Sequence, residues 1–281
     1  MLIDAGTLVA RAYAEGVGIA AFNGITVEHG EAVVEGAERA GRPAILALSH
    51  NAVRFHGEVE PIAAAFRALA EQAEVAIGVH LDHVEDISLV ERATALGFAS
   101  VMFDASTLDY DANVAATAAA AALMHNRSGW IEAELGEVGG KDGAHAPHVR
   151  TDPGEAVAFV EATGVDALAV AVGSSHAMTS QTAQLDLTLV RRLRDALSVP
   201  MVLHGSSGVS DEGLGAAVRA GLTKINVGTQ LNVAFTDTVR SELARSERPD
   251  PRPALAAART AMATVVERLI GVVSDPGRTP G

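Results

Sequence analysis

The sequence contains no cysteine and only two lysines, and these two shortages exclude several kinds of chemistry. Without cysteine there is neither a disulfide nor a thiolate ligand, so any metal must be bound by histidine and carboxylate groups. A Schiff-base enzyme needs a buried lysine that faces its substrate. Lys141 lies in a glycine-flanked segment, and Lys224 opens a predicted strand at the end away from the expected catalytic face. Imine chemistry is therefore disfavoured, and a metal electrophile is favoured.

Positive charge and long apolar runs are scarce as well. Lysine and arginine total 21 against 35 acidic residues, which gives a net charge of −14 with no basic cluster, so no nucleic-acid partner is expected. No apolar run has the length of a membrane span. The N-terminus lacks the basic start and long apolar run of a signal peptide. We therefore expect a cytoplasmic protein with no membrane partner.

Short apolar runs alternate with longer amphipathic stretches, among them residues 27–41 and 211–222. The runs cover residues 18–24, 43–49, 75–83, 100–106, 130–136, 167–173, 200–206 and 224–229. Near-continuous apolar strands that alternate with helices predict a parallel sheet covered on both faces. Eight such units in 281 residues predict an α/β fold, a single (β/α)₈ TIM barrel that forms one domain over residues 1–281, with a disordered tail from about residue 275.

A doubly wound open sheet is the alternative, but it normally has a glycine-rich dinucleotide loop after its first strand. The sequence FNGITVEHG at that place is not such a loop. In a barrel, the catalytic groups lie at the C-terminal ends of the strands. Polar residues cluster there in this sequence, and they are Asn23, Ser49, Asp82, His83, Asp104, Glu132, Glu134, His176, His204, Ser206, Asn226 and Thr229.

Three of these residues, His83, His176 and His204, follow three separate apolar runs. Neutral imidazoles are good ligands for zinc and similar divalent metals, and three protein ligands with one open position are typical of a catalytic site. The alternative is that they are surface histidines or hydrogen-bonded core histidines. Asp82 precedes His83 directly, so a regular strand would point the two side chains to opposite faces. We expect them to converge only where the strand ends.

Three further segments carry candidate groups. HGSSG (204–208) and KINVGT (224–229) follow or form the last two predicted strands, where barrels often build a phosphate site from exposed backbone N–H groups. Glu132 and Glu134 share one strand face by period two. The glycine-flanked segment 139–143 contains Asp142, which could supply an acid or base from a mobile loop, or could simply be a solvated loop residue.

A series of short motifs follows one order along the chain. The motifs are HLDH, EAELG, the Gly-Gly segment with its acid, AVAVGSSH, VPMVLHGSSG, KINVGT and a late DPR (250–252). In this order they resemble the class II, metal-dependent fructose-bisphosphate aldolases, together with the tagatose-bisphosphate and other ketose-phosphate aldolases of that superfamily. The resemblance covers nearly the whole chain. It implies a lyase that cleaves a phosphorylated ketose, by default fructose 1,6-bisphosphate, to dihydroxyacetone phosphate and an aldehyde.

The resemblance also implies roles for individual residues. His83, His176 and His204 would bind Zn²⁺ or another divalent metal, with Glu134 as an alternative ligand or a group behind the ligands. Asp82 would be the acid/base at the C4 hydroxyl, Asp142 would exchange a proton at C3, and Asn226 would hold the enediolate oxygens. The expected substrate-binding and phosphate-binding set is completed by Asn23, Ser49, Ala177, Gly205, Ser206, Ser207, Gly228, Thr229 and Arg252.

Three departures from the family pattern concern the substrate more than the reaction. Ala177 stands where the family has glycine at a turn that binds phosphate and a cation, either Na⁺ or K⁺, and Asp142 stands in place of a glutamate. The segment after the second predicted strand contains His50, Asn51 and His56 where small residues are expected. Family members are usually dimers or tetramers, so a homodimer or homotetramer is expected.

Two rival functions stay open at this point. The first is a metal-dependent barrel hydrolase, which would not exchange the C3 proton of dihydroxyacetone phosphate with solvent, whereas an aldolase would. The second is an inactive relative that binds a sugar phosphate as a sensor. The presence of Asp82 and the three histidines argues against the second.

Overall fold

The strands occur where the sequence predicts them, with one addition at the N-terminus. The computed structural model describes residues 1–135, 150–174, 182–245, 249–275 and 277. The strands in these residues are β1 (Leu2–Asp4), β2 (Ile19–Asn23), β3 (Ala44–Ser49), β4 (Ile77–Val84), β5 (Ser100–Phe103), β6 (Trp130–Glu134), β7 (Ala167–Ala169), β8 (Met201–Leu203) and β9 (Leu222–Val227). Strands β2 to β9 pair in parallel around a closed ring, in which β9 returns to β2 and β4 meets β5. The predicted (β/α)₈ barrel is confirmed.

At least one helix follows each barrel strand. The helices are α1 (Ala5–Glu15), α2 (Val27–Ala40), α3 (His50–His56), α4 (Glu60–Gln72), α5 (Ile87–Ala93), α6 (Tyr110–His125), α7 (Pro153–Thr163), α8 (Leu187–Ala196), α9 (Asp211–Ala220), α10 (Thr229–Ala244) and α11 (Arg252–Ser274). The main hydrophobic core fills the space between this outer layer and the barrel. Over the described part of the chain, none of the helices combines the length and apolarity that crossing a membrane requires.

Strand β1 and helix α1 close the N-terminal end of the barrel, an arrangement that the sequence does not predict. Strand β1 pairs with the first half of β4, and β5 pairs with the second half of β4. Asp4 caps α1 by accepting hydrogen bonds from two backbone N–H groups of its first turn. The apolar face of α1 packs onto inward-facing residues of the barrel, among them Ile19 and Ile45. This end of the barrel is therefore sealed by apolar contacts, which leaves the opposite end for chemistry.

We expect Gly6→Ala to lower the melting temperature. Alanine normally stabilises a helix relative to glycine by about 1 kcal/mol. A Cβ at Gly6, however, would lie 2.5 Å from Cγ of Trp130, which is far inside van der Waals contact. Overpacking of this kind costs about 1–3 kcal/mol, or roughly 2–10 °C in Tm for a chain of this size. Gly271→Ala on α11 is the matched control, since nothing lies within 4 Å of its added Cβ. A Tm for Gly6→Ala at or above that of the control would contradict this account of the seal.

Candidate active site

Three strands each place two polar side chains inside the barrel. Because side chains alternate along a strand, residues two apart share one face, and here that face points inward. The layer nearer the sealed end contains His80 on β4, Glu132 on β6 and Lys224 on β9, and the layer above it contains Asp82, Glu134 and Asn226 on the same strands. All six are buried. The C-terminal half of the barrel is thus polar, as expected where a barrel carries its catalytic groups.

His83 joins this inward-facing set through an irregularity in β4. The expectation that Asp82 and His83 converge where the strand ends is wrong, because β4 continues to Val84. The pairing of β4 with β5 shifts register between Leu81 and Val84, and His83 has a φ of 50°, in the left-handed region. A bulge with one such residue rotates its side chain out of the alternation. Nε2 of His83 therefore lies 4.0 Å from Oδ2 of Asp82.

The candidate residues converge on one cleft of about 170 Å³ at the C-terminal end of the barrel. The cleft is lined by Asn23, Asp82, His83, His204, Gly205, Ser206, Ser207, Asn226, Gly228, Thr229 and Asn232. Ten of these belong to the set proposed from the sequence. Asn232 does not, although it follows Thr229 by three residues on α10 and so lies on the same helix face. The cleft therefore combines imidazole, carboxylate, amide and hydroxyl groups.

Asp82 is held between two amides at the floor of the cleft. Nδ2 of Asn23 donates to Oδ2 of Asp82 at 2.7 Å, and Nδ2 of Asn226 donates to Oδ1 at 3.1 Å. Burial acts to raise the pKa of Asp82, but electrostatic interactions with the imidazoles of His83 and His204 and with the ammonium of Lys224 lower it below its ordinary value. Asp82 is therefore an ionised, oriented carboxylate that can accept a proton.

His83 and His204, the two candidate metal ligands within the described residues, each contact a carboxylate through one ring nitrogen. Nδ1 of His83 lies 2.8 Å from Oδ2 of Asp104, and Nε2 of His204 lies 2.8 Å from Oε1 of Glu132. The remaining nitrogens, Nε2 of His83 and Nδ1 of His204, face each other at 2.8 Å. Burial lowers the pKa of His204, and His83 lowers it further against the opposing effect of Glu132, so His204 is neutral.

This donor set fits a divalent cation. When a carboxylate accepts the N–H of an imidazole, the other ring nitrogen presents a lone pair, and here two such nitrogens point at one place. His83 and His204 form a potential metal-binding group with Asp82, and His83 forms a second one with Asp104 and Glu134. Four buried carboxyl groups (Asp82, Asp104, Glu132, Glu134) surround this place, and among the described residues only one buried ammonium, that of Lys224, opposes them.

Lys224 does not lie where the sequence suggests. It is the third residue of β9, its side chain is fully buried inside the barrel, and Nζ donates to Oε2 of Glu132 at 2.7 Å and contacts Nε2 of His80 at 3.4 Å. The prediction that Lys224 opens its strand is therefore wrong, because β9 begins two residues earlier. Lys224 does not line the cleft. Its ammonium is occupied by a carboxylate, which agrees with the conclusion that imine chemistry is disfavoured.

The neighbouring charges act on the other groups of the lower layer. Burial lowers the pKa of His80 to about 3, with Lys224 adding to the effect. Burial acts to raise the pKa of Glu132, but Lys224 and His204 lower it to about 2. Beneath the cleft the protein therefore holds a neutral imidazole and an ionised carboxylate.

The loops after β8 and β9 form one wall of the cleft. Gly205 has a φ of 66°, and a short 3₁₀ turn follows it over residues 206–208. Gly228 precedes the first turn of α10, a 16-residue helix. The hydroxyl of Ser206 donates to the carbonyl of Asn226 and so ties the two loops together. Ser207 and Thr229 line the cleft beside the N-terminus of α10, an arrangement that favours a bound anion.

Three other candidates have different surroundings. Oγ of Ser49 accepts a hydrogen bond from the backbone N–H of Ala52 and caps α3, so the hydroxyl serves local structure. Arg252 begins α11, where its side chain is 86% exposed and pairs with Asp250. Glu134 is fully buried in the upper layer. Within the described ranges, none of the three lines the cleft.

Other predictions fall outside the described residues. These concern Lys141 and Asp142 in the glycine-flanked segment, His176 and Ala177 after β7, and most of the tail from residue 275. They therefore stay predictions.

Sequence reasoning missed His80, and it assigned no role to Glu132 or Asp104 although it placed both at the catalytic ends of their strands; a signal for each was present. Glu132 and His80 precede Glu134 and Asp82 by two residues, so period two already places each pair on one face. Asp104 follows β5 at the same end of the barrel as His83.

Comparison with known proteins supports one family. The family model for class-II fructose-bisphosphate aldolase matches residues 4–278. A fructose-bisphosphate aldolase of Thermus caldophilus is 34% identical over 306 residues, which cover 99% of this chain and all of the relative. The crystal structure of the YdjI aldolase from Escherichia coli K12 matches with a TM-score of 0.86 and 32% identity over 99% of both chains. A fructose-bisphosphate aldolase from Campylobacter jejuni, at 23% identity, matches in fold with a TM-score of 0.81 over 97% of this chain and 94% of the other.

Proposed function

Because the chain belongs to the class II fructose-bisphosphate aldolase family and is therefore a lyase, we propose that it reversibly cleaves a phosphorylated ketose. The products are dihydroxyacetone phosphate and an aldehyde, and fructose 1,6-bisphosphate is the default substrate. One observation carries the proposal. Asp82, oriented by two amides, lies beside the facing nitrogens of His83 and His204 in a cleft that is also lined by the loops after β8 and β9, which suit an anion.

The metal is Zn²⁺ in this proposal, bound by His83 and His204 together with His176, and Glu134 is the alternative ligand. When bound, it polarises the ketose carbonyl and stabilises the negative charge that bond cleavage leaves on the dihydroxyacetone half. Three imidazoles also suit cobalt or iron, so the identity of the metal is part of the proposal.

The phosphate of the dihydroxyacetone half lies against the loops after β8 and β9. The N-terminus of α10 offers backbone N–H groups, and Ser207 and Thr229 add hydroxyls. The amide of Asn232 reaches the same wall and is a further candidate contact. No lysine or arginine belongs to the described lining, so this wall binds an anion through dipoles rather than through a full positive charge.

The proton transfers involve two carboxylates. Asp82 accepts the proton of the C4 hydroxyl as the C3–C4 bond breaks, and Asn23 and Asn226 keep its oxygens oriented. Oδ1 of Asn226 is buried and has no hydrogen-bond partner among the described residues, which makes it a candidate acceptor for a substrate hydroxyl. Asp142 delivers the proton to C3 in this proposal. A monovalent cation bound near Ala177 and a homodimer or homotetramer are further parts of the proposal.

A coupled assay for dihydroxyacetone phosphate release tests the function, with and without EDTA. The panel contains fructose 1,6-bisphosphate, tagatose 1,6-bisphosphate and several ketose 1-phosphates. Chelator-sensitive release from any of them supports the proposal and identifies the preferred sugar. If zinc-loaded protein releases nothing and also fails to exchange the C3 proton of dihydroxyacetone phosphate with solvent, the proposal is wrong.

We expect Arg252→Ala to separate bisphosphate substrates from monophosphates. If Arg252 leaves Asp250 to bind the second phosphate, a charge-assisted hydrogen bond worth about 1.5–3 kcal/mol is lost, so KM for a bisphosphate rises about tenfold or more. KM for a ketose 1-phosphate should stay unchanged. Arg245→Ala at the end of α10, whose guanidinium pairs with Glu242 on the surface, is the matched control. Equal effects of Arg252→Ala on both substrates exclude the role.

A further inference from the structure

A continuous chain of polar contacts runs from the lower layer of the barrel to the cleft. Nζ of Lys224 donates to Oε2 of Glu132 at 2.7 Å, Oε1 of Glu132 lies 2.8 Å from Nε2 of His204, and Nδ1 of His204 lies 2.8 Å from Nε2 of His83. Lys224, Glu132 and His204 each have a relative exposure of 0%. None of the three is exposed to bulk solvent, so the donors and acceptors along the chain determine one another.

The direction of each hydrogen bond follows from chemistry. An ammonium only donates, so Oε2 of Glu132 is committed to Lys224. An ionised carboxylate only accepts, so the bond between Oε1 and His204 requires the hydrogen on Nε2 of His204. A neutral imidazole carries one N–H, which leaves a lone pair on Nδ1, the atom that faces His83.

We propose that Lys224 and Glu132 act as a positioning pair that locks His204 in the Nε2–H tautomer, so that its Nδ1 lone pair is permanently directed at the metal site. The inference rests on the proposed function, because it assigns to Nδ1 of His204 the task of binding the divalent cation. Neither residue of the pair touches the substrate. They act through the histidine.

The ammonium is as necessary to this lock as the carboxylate. In Glu132→Gln the side chain keeps its shape but has one acceptor and one donor end. Lys224 can only donate, so the amide oxygen accepts its hydrogen bond. The NH₂ group of the amide then faces Nε2 of His204. That nitrogen must then accept, the hydrogen moves to Nδ1, and the lone pair facing His83 is lost. In Lys224→Met/Glu132→Gln nothing holds the amide oxygen in place, so the amide can rotate and restore the Nε2–H tautomer.

His83 and its carboxylate partner Asp104 allow the same reasoning to be tested on a second imidazole. Oδ2 of Asp104 lies 2.8 Å from Nδ1 of His83, while Oδ1 of Asp104 accepts from both the backbone N–H and the hydroxyl of Ser106. An amide in Asp104→Asn must give its oxygen to Ser106 and its NH₂ group to His83. The tautomer of His83 should therefore change and that of His204 should not.

The test is to record imidazole nitrogen spectra of the full-length chain labelled with ¹⁵N-histidine, after EDTA treatment and again with one equivalent of Zn²⁺. Zinc affinity is measured in parallel by competition with a chromophoric chelator. Wild type should show His204 protonated at Nε2. Glu132→Gln should show it protonated at Nδ1, with zinc bound about 10- to 100-fold more weakly. The double variant should regain the Nε2–H tautomer and bind zinc about tenfold more tightly than Glu132→Gln.

Several outcomes overturn the proposal. These are a wild-type His204 protonated at Nδ1, a Glu132→Gln variant that keeps the Nε2–H tautomer, or a double variant that binds zinc no more tightly than the single one. If Glu132→Gln fails to fold, the wild-type and double-variant spectra decide. An ion pair that only stabilised the barrel would change Tm and leave the tautomers alone. Neither measurement uses a sugar, so an inactive but correctly locked protein counts against the proposed function and not against the lock.

Discussion

Asp82→Asn should lower kcat for ketose cleavage by about 10²- to 10⁴-fold, the range that a positioned general base contributes. Asparagine keeps the shape of the side chain and can remain close to Asn23 and Asn226, but it cannot accept a proton from the substrate hydroxyl. Interactions with His83, His204 and Lys224 lower the pKa of Asp82, so the wild-type carboxylate is ionised at any pH above its ordinary value near 4. The ratio of wild-type to variant activity should therefore be constant from pH 6 to pH 9.

The control for this variant is Asp86→Asn, in the same loop region. Asp86 caps α5 by accepting from the backbone N–H of Ser88, and asparagine caps helices about as well as aspartate. Its activity should equal that of wild type. Zinc content and Tm of Asp82→Asn are measured alongside kcat. If that variant binds zinc normally and keeps kcat within about tenfold of wild type, Asp82 is not the general base.

The sequence predicts the barrel well because its signal is periodic and repeated. Eight apolar runs alternate with amphipathic stretches, and each run overlaps one observed strand. The seal by β1 and α1 is not predicted, because a three-residue strand leaves no periodic signal and the barrel residues that α1 covers are apolar like the rest of the core. That contact depends on the three-dimensional closure of the ring.

The sequence predicts which residues form the candidate site better than it predicts how their side chains are arranged. Strand-end residues such as Asn23, His204 and Thr229 meet in one cleft because parallel strands bring their C-terminal ends together. The approach of His83 to Asp82 depends on a bulge and a positive φ, for which neither the residue types nor the spacing give a signal. The burial of Lys224 was available from period two, since Asn226 lies two residues further along β9, but a lysine in a strand is ordinarily expected at the surface.

His83→Asn should remove the metal and abolish cleavage. Asparagine is among the few residues that tolerate the left-handed φ of 50° at this position, so the backbone of the bulge should be retained while the imidazole is lost. A metal electrophile provides several kcal/mol of transition-state stabilisation, so kcat should fall by about 10³-fold or more. EDTA should have the same effect on wild type, and Zn²⁺ should reverse the effect of EDTA but not that of the substitution.

His50→Asn distinguishes the loss of a ligand from the loss of any buried histidine at this end of the barrel. Nδ1 of His50 accepts from the backbone N–H of Glu85, a bond that an asparagine oxygen can take over. His50 belongs to neither of the potential metal-binding groups found in the described part of the chain. Its substitution should therefore leave zinc stoichiometry unchanged, as measured by elemental analysis after gel filtration. Full zinc occupancy in His83→Asn, or equal zinc loss in both variants, would remove His83 from the metal site and leave its bulge in β4 without a catalytic purpose.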